Sequence, residues 1–130
     1  MKLLLDTHIW IWGILEPHRL TRRVTRELTD SKNELWLSPI SLWEAVLLHR
    51  KQRIKTPADF SDWVADAMSM IPVNEAPLTF DVALAVSSVK LPHGDPADQF
   101  LVASAKVFGL TLVTADRHLV KAEGISVLAN

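Results

Sequence analysis

No cysteine occurs in the 130 residues, which excludes disulfide staples and thiolate metal sites and leaves the compartment open. Glycine is scarce, with four residues, and there is no low-complexity tract. Together with a 48% hydrophobic content, this excludes a disordered chain and points to a globular one. Neither charge is in excess: 14 basic residues face 15 acidic ones, a net of −1. That balance excludes a general polyanion-coating surface, so any nucleic-acid contact must rest on a local patch. No apolar run approaches the ~18 uncharged residues that span a membrane. Met1-Lys2-Leu3-Leu4-Leu5 superficially resembles a signal peptide, but Asp6 and His8 interrupt it and no small-residue cleavage site follows. The expectation is a soluble, cytoplasmic chain, a single domain over residues 1–130 that is large enough to bury its own core.

What the chain does contain is a set of short apolar runs separated by helical patterns. Lys2 to Leu5, Leu35 to Ser38, Ile71 to Val73, Leu110 to Thr114 and Ile125 to Leu128 suit the strands of a parallel sheet covered on both faces. Helical spacing marks Leu20 to Thr29, Ser41 to Arg50, Ala58 to Met70, Leu78 to Val89 and Pro96 to Phe108, and Gly109 stands where a C-cap glycine belongs. Strands alternating with helices predict an α/β fold, a three-layer sandwich around a central, mostly parallel five-stranded sheet.

Open parallel sheets gather ligands at the carboxyl ends of their strands. Asp6 directly follows the first predicted strand, Asp116 lies two residues past the fourth, and Glu44 falls in the first turns of the helix after the second. Asp98 reaches the same edge by arithmetic: the helix to Phe108 and the strand back to Thr114 each span roughly 16 Å, so the helix start and the strand end coincide. Four carboxylates on one rim repel unless some stay protonated or a cation neutralises them. Mg²⁺ or Mn²⁺ prefers such oxygen ligands, and an ion there activates water against a phosphoryl group. The chemistry implied is phosphodiester hydrolysis.

Each acid also has a plain structural reading. Ser41-Leu42-Trp43-Glu44 fits a capping box. Asp95-Pro96-Ala97-Asp98 reads as N-cap, N1, N2 and N3, and Asp116 would cap a short helix over Leu119 to Ala122. Convergence of all four, rather than any one alone, favours the catalytic reading.

The strand-terminal Leu5-Asp6-Thr7, the Ser41-Leu42-Trp43-Glu44 element, Asp95-Pro96-Ala97-Asp98 with the following Leu101 to Ala105, and Leu112-Val113-Thr114-Ala115-Asp116 resemble, in order and spacing, a PIN domain. The similarity covers essentially the whole chain, and within the family it is greatest to the VapC group, toxins of type II toxin–antitoxin modules. The resemblance implies a Mg²⁺- or Mn²⁺-dependent ribonuclease that dimerises and is silenced by a small antitoxin encoded nearby. By motif match, Asp6, Glu44, Asp98 and Asp116 take the catalytic, metal-holding positions; Thr114 is a secondary candidate that adds a hydroxyl near the metal, and Asp95 another that serves mainly as a helix cap. Two positions depart from the pattern: Gln99 stands where many similar sequences have Arg, and Leu48 where they have Lys. Both departures bear on phosphate contact and antitoxin pairing.

Outside the acids, Arg19, Arg22, Arg23 and Arg26 recur at three- and four-residue steps, as one basic helical stripe that is either a solvated face or a contact for RNA or antitoxin. His49, Arg50, Lys51, Arg53 and Lys55 form a second basic cluster. Ile9 to Leu15 is apolar around a whole helix, which predicts burial on every side and hence contact with a second subunit or the antitoxin. His8 and His93 are candidates to border the site. A phosphoaspartyl enzyme is the main catalytic rival, but its second acid would stand at His8. An inactive PIN-like scaffold that binds a partner is the non-catalytic one, and the intact acids argue against it.

Overall fold

Leu3, Leu4 and Leu5 lie side by side in sequence, yet they serve two different hydrophobic cores. Successive strand residues point to opposite faces. Leu3 and Leu5 join Ile9, Trp10, Val24 and Trp63 on one side of the sheet. Leu4 joins Leu101, Val102, Leu112 and Leu119 on the other. The computed structural model describes every residue except Ala58 and His93. Among the described residues the strands are β1 (Lys2–Leu5), β2 (Glu34–Leu37), β3 (Asn74–Glu75), β4 (Thr111–Thr114) and β5 (Val127–Ala129). All pair in parallel, in the order β3-β2-β1-β4-β5. The helices are α1 (Thr7–Leu15), α2 (Arg22–Thr29), α3 (Pro39–Arg50), α4 (Phe60–Met70), α5 (Phe80–Ala85), α6 (Pro96–Phe108) and α7 (Arg117–Val120). The expected three-layer α/β sandwich is the observed one. No helix among the described residues is long and apolar enough to cross a membrane.

β1 lies at the centre, and the chain leaves it first towards β2 and β3, then returns on its other side as β4 and β5. That reversal opens a crevice beyond the carboxyl ends of β1 and β4, where ligands of such sheets bind.

Several elements differ from the sequence reading, each for a local reason. The third strand forms at Asn74–Glu75, not at Ile71 to Val73. Pro72 has no N–H to give a ladder, Ile71 closes α4, and Ile71 and Val73 pack their side chains on the core instead. Helix α3 begins at Pro39, capped by the Ser38 hydroxyl on the Ile40 amide. Ser41 therefore sits inside the helix, buried, and forms no capping box.

The arginines do not share one stripe. Arg19 ends a separate 3₁₀ turn over Pro17–Arg19, while Arg22, Arg23 and Arg26 lie on α2 behind its own cap, Thr21. Arg19 pairs with Glu16 at 3.1 Å and lies 4.5 Å above the Trp12 ring. The apolar first helix is covered in part by its own chain. Ile9, Trp10 and Ile11 are core, and Trp12, Ile14 and Leu15 pack against that core from its edge. Residues Trp12 to Leu15 are only half-buried, so the chain's own packing covers part of this helix.

Candidate active site

The crevice beyond β1 and β4 is a cavity of about 400 Å³ lined by Asp6, Glu44, Asp95, Asp98 and Asp116, with His8 and Trp12 at its margin. All four predicted acids come to it from four separate segments. Asp6 is the N-cap of α1, and Asp116 is the N-cap of α7. Glu44 projects from the second turn of α3. Asp98 stands in the first turn of α6, behind the Asp95 N-cap and the N1 Pro96. His8 does border the site; His93 lies outside the described residues.

Two buried threonines hold two of these acids. The Thr114 hydroxyl donates to Asp6 Oδ2 at 2.6 Å and accepts the Asp116 amide at 3.0 Å. One side chain on β4 thus ties together the acids that follow β1 and β4. The sequence reading treated Thr114 as a hydroxyl near the metal; its one proton is committed to Asp6, which makes it a positioning group. Thr7 was missed as a functional residue. Its hydroxyl donates to Glu44 Oε1 at 2.6 Å. Glu44 consequently faces the site, and the structural reading of it as a box partner of Ser41 falls away. The Asp-Thr pair after β1 was the available sign, since a hydroxyl there meets α3 only once the sheet has folded.

Electrostatics separate the acids. Burial pushes the Asp6 carboxyl up from its ordinary value, and hydrogen bonds from Thr114 and the Thr7 amide pull against this. Burial also raises Glu44, with the Thr7 hydroxyl opposing and Asp6 and Asp95 adding to the rise. Asp98 is raised from 3.8 to about 7, by burial first and then by repulsion from Asp95, Asp6, Asp116 and Glu44. A group of carboxylates that resist ionising together is a group short of positive charge.

The donor set fits a hard divalent cation: every candidate ligand is a carboxylate oxygen, with no thiolate to favour a softer ion. Among the described residues, no three of these side chains converge on one point as they stand. Mg²⁺ keeps several waters and takes only one or two protein carboxylates, so an open rim of separated acids suits it better than a closed cage.

The PIN-domain family model matches residues 3–125. The chain belongs to the PIN-domain family. Membership implies a divalent metal cofactor in general, in keeping with the acids of the crevice. Ribonuclease VapC22 of Mycobacterium tuberculosis is 30% identical over 119 residues, covering 89% of this chain and 88% of that protein. Two solved structures share the PIN fold across the whole chain. VapBC2 of Rickettsia felis, bound to a promoter DNA fragment, is 16% identical with a TM-score of 0.73, covering 100% of this chain and 99% of that one. DNA-bound VapBC of Salmonella typhimurium is 19% identical with a TM-score of 0.69, covering 99% and 98%.

Proposed function

We propose that this chain is a metal-dependent endoribonuclease that hydrolyses RNA phosphodiester bonds in the cytoplasm, as the toxin of a toxin–antitoxin pair. The observation that carries the reading is the convergence of Asp6, Glu44, Asp98 and Asp116 on one cavity at the sheet's switch point. The similarity to a named VapC ribonuclease and to VapBC assemblies supports both the substrate and a small antitoxin, encoded nearby, as partner.

In this reading Asp6, Glu44, Asp98 and Asp116 hold Mg²⁺ or Mn²⁺. When bound, the ion activates water and neutralises charge developing on the phosphoryl oxygens. The protein's own part is to hold the acids ready. Thr114 and Thr7 fix Asp6 and Glu44 in orientation. Asp98, partly protonated near neutral pH, releases its proton as a cation replaces the repulsion around it. Asp95 caps α6 through the Ala97 amide and keeps Asp98 in place.

The test is metal removal. RNA cleavage by protein free of contaminating nuclease will stop in excess EDTA and return with Mg²⁺ or Mn²⁺; undiminished cleavage in EDTA refutes the reading. Independently of activity, either ion at a hundred times its Kd will stabilise the fold by about 2.7 kcal/mol, seen as a higher Tm.

The reading includes a homodimer, and exposed apolar surface supports α5 as part of its interface. Phe80 and Leu84 lie one turn apart on α5 and are 90% and 73% exposed. Large apolar groups left so open on one helix face suit a second copy. Leu84→Asp will shift the light-scattering mass from two chains to one. A single-chain mass for the unaltered protein contradicts the dimer.

A further inference from the structure

The acid-lined crevice continues into a second cavity, of about 260 Å³, whose wall includes Glu44 and Asp95 at one end and Trp43, Lys51 and Arg53 beyond them. We propose that this second cavity holds the unpaired nucleotide next to the cleaved phosphate, its base stacked on Trp43 and the following backbone phosphates held by Lys51 and Arg53. The inference rests on the ribonuclease reading and adds the residues that position the substrate strand.

The argument begins with charge. The chain is nearly neutral and its site is a ring of acids, so a polyanion reaches that ring only along a local cationic path. Lys51 and Arg53 are exposed, and among the described residues neither enters an ion pair. Trp43 and Leu47 lie one turn apart on α3 and Lys51, its C-cap, follows four residues on, so the three run along one side over roughly 12 Å. Trp43 is 53% exposed although it neighbours Glu44. An open indole beside a phosphodiester site offers a face to any base that is free to leave its stack, and a paired base is not free.

The cations are also held in place by the backbone. Gln52 adopts φ 57°, the left-handed region. Its N–H donates to the His49 carbonyl at 3.0 Å and that of Arg53 to the Leu48 carbonyl at 2.9 Å. This double closure of α3 fixes the turn that carries Lys51 and Arg53. Leu48, also on the wall, brings no charge, so the phosphate contacts fall to these two residues.

The experiment is an anisotropy titration with a fluorescein-labelled single-stranded RNA of mixed sequence, in excess EDTA so that the strand is bound without being cut. Trp43→Ala will weaken binding about ten-fold, the effect of losing one stacked base, and Trp43→Phe will restore most of it. The double variant Lys51→Ala, Arg53→Ala will lower the slope of log Kd against log salt by about 1.4, near 0.7 per lost phosphate contact. Melting curves will stay where they are, because all three side chains are exposed. The same RNA annealed to its complement will bind more weakly. Unchanged binding by Trp43→Ala, an unchanged salt slope, equal binding of the duplex, or no binding by the unaltered protein each overturns the proposal. Cleavage in Mg²⁺ is scored separately. A protein that cuts RNA but shows none of these losses keeps the nuclease reading and loses this one; a protein that binds as described but never cuts does the reverse.

Discussion

Asp98→Asn protein in saturating Mg²⁺ will leave RNA uncut, with the rate down on the order of 10³-fold, while Asp95→Asn will keep most of its rate. Both acids sit at the start of α6, but they do different jobs. Asp95 is exposed and caps the helix through the Ala97 amide at 3.0 Å, and asparagine caps about as well as aspartate. Asp98 is buried against the other acids and is the one raised to about 7. Asparagine there removes a charged ligand. It also removes a cost of folding without metal. Between pH 3.8 and 7 the folded state binds more of Asp98's proton than the unfolded chain does, so metal-free stability falls as pH rises through that window and stays low above it. Asp98→Asn will therefore stabilise the metal-free fold at pH 8 by on the order of 2 kcal/mol, seen as a higher Tm, and leave it unchanged at pH 3. Paired cleavage rates and melting curves read both effects. An inactive Asp95→Asn beside an active Asp98→Asn reverses the two roles, and two active variants dispose of the carboxylate site.

Thr114→Val keeps the shape of the side chain and deletes its hydroxyl. Asp6 Oδ2 loses a donor and the Asp116 amide loses its acceptor. Leaving buried polar groups unsatisfied costs about 1–3 kcal/mol of stability. Loss of the group that orients a ligand costs roughly 10–100-fold in metal affinity or activity. A merely loosened fold would lower the rate at every pH alike. Loss of the Thr114 bond also lets the Asp6 carboxyl rise further, since that bond opposes the effect of burial. The acid limb of the rate profile will therefore move to higher pH, and Thr114→Ser will bring it back. A Thr114→Val enzyme with an unmoved acid limb and an unaltered rate shows that the hydroxyl does not position Asp6.

Local punctuation made part of this molecule readable in advance. Helix α6 runs from Pro96 to Phe108 as expected, because Asp95-Pro96 opens it and Gly109, at φ 64°, closes it in the left-handed conformation. From those two ends, helix and strand lengths alone brought Asp98 back to the rim that holds Asp6 and Asp116. Elsewhere local pattern misled. Ser41 and Glu44 have capping-box spacing, but Ser38-Pro39 starts the helix earlier and turns Glu44 towards Thr7. The 37-residue separation of that pair leaves no trace in periodicity. Helix α1 was legible as an apolar element in need of cover, and Ile9, Trp10 and Ile11 are core. What covers it was not legible, since apolar spacing records the need for cover and not whether the same chain supplies it.

The pairing of β1 with β4 also bears on when the acid rim becomes complete as the chain is made. The bond from Thr114 to Asp6 joins residues 108 positions apart, and β1 lies between β2 and β4. Contacts of such range form late, after the loop between them has closed. During synthesis the first acid emerges long before its partner strand exists, so a growing or prematurely ended chain carries Asp6 and Glu44 but neither β4 nor Asp116. A chain interrupted before β4 thus lacks the partner that orients Asp6, and the four acids share one rim only once the residues up to Asp116 have been made and folded.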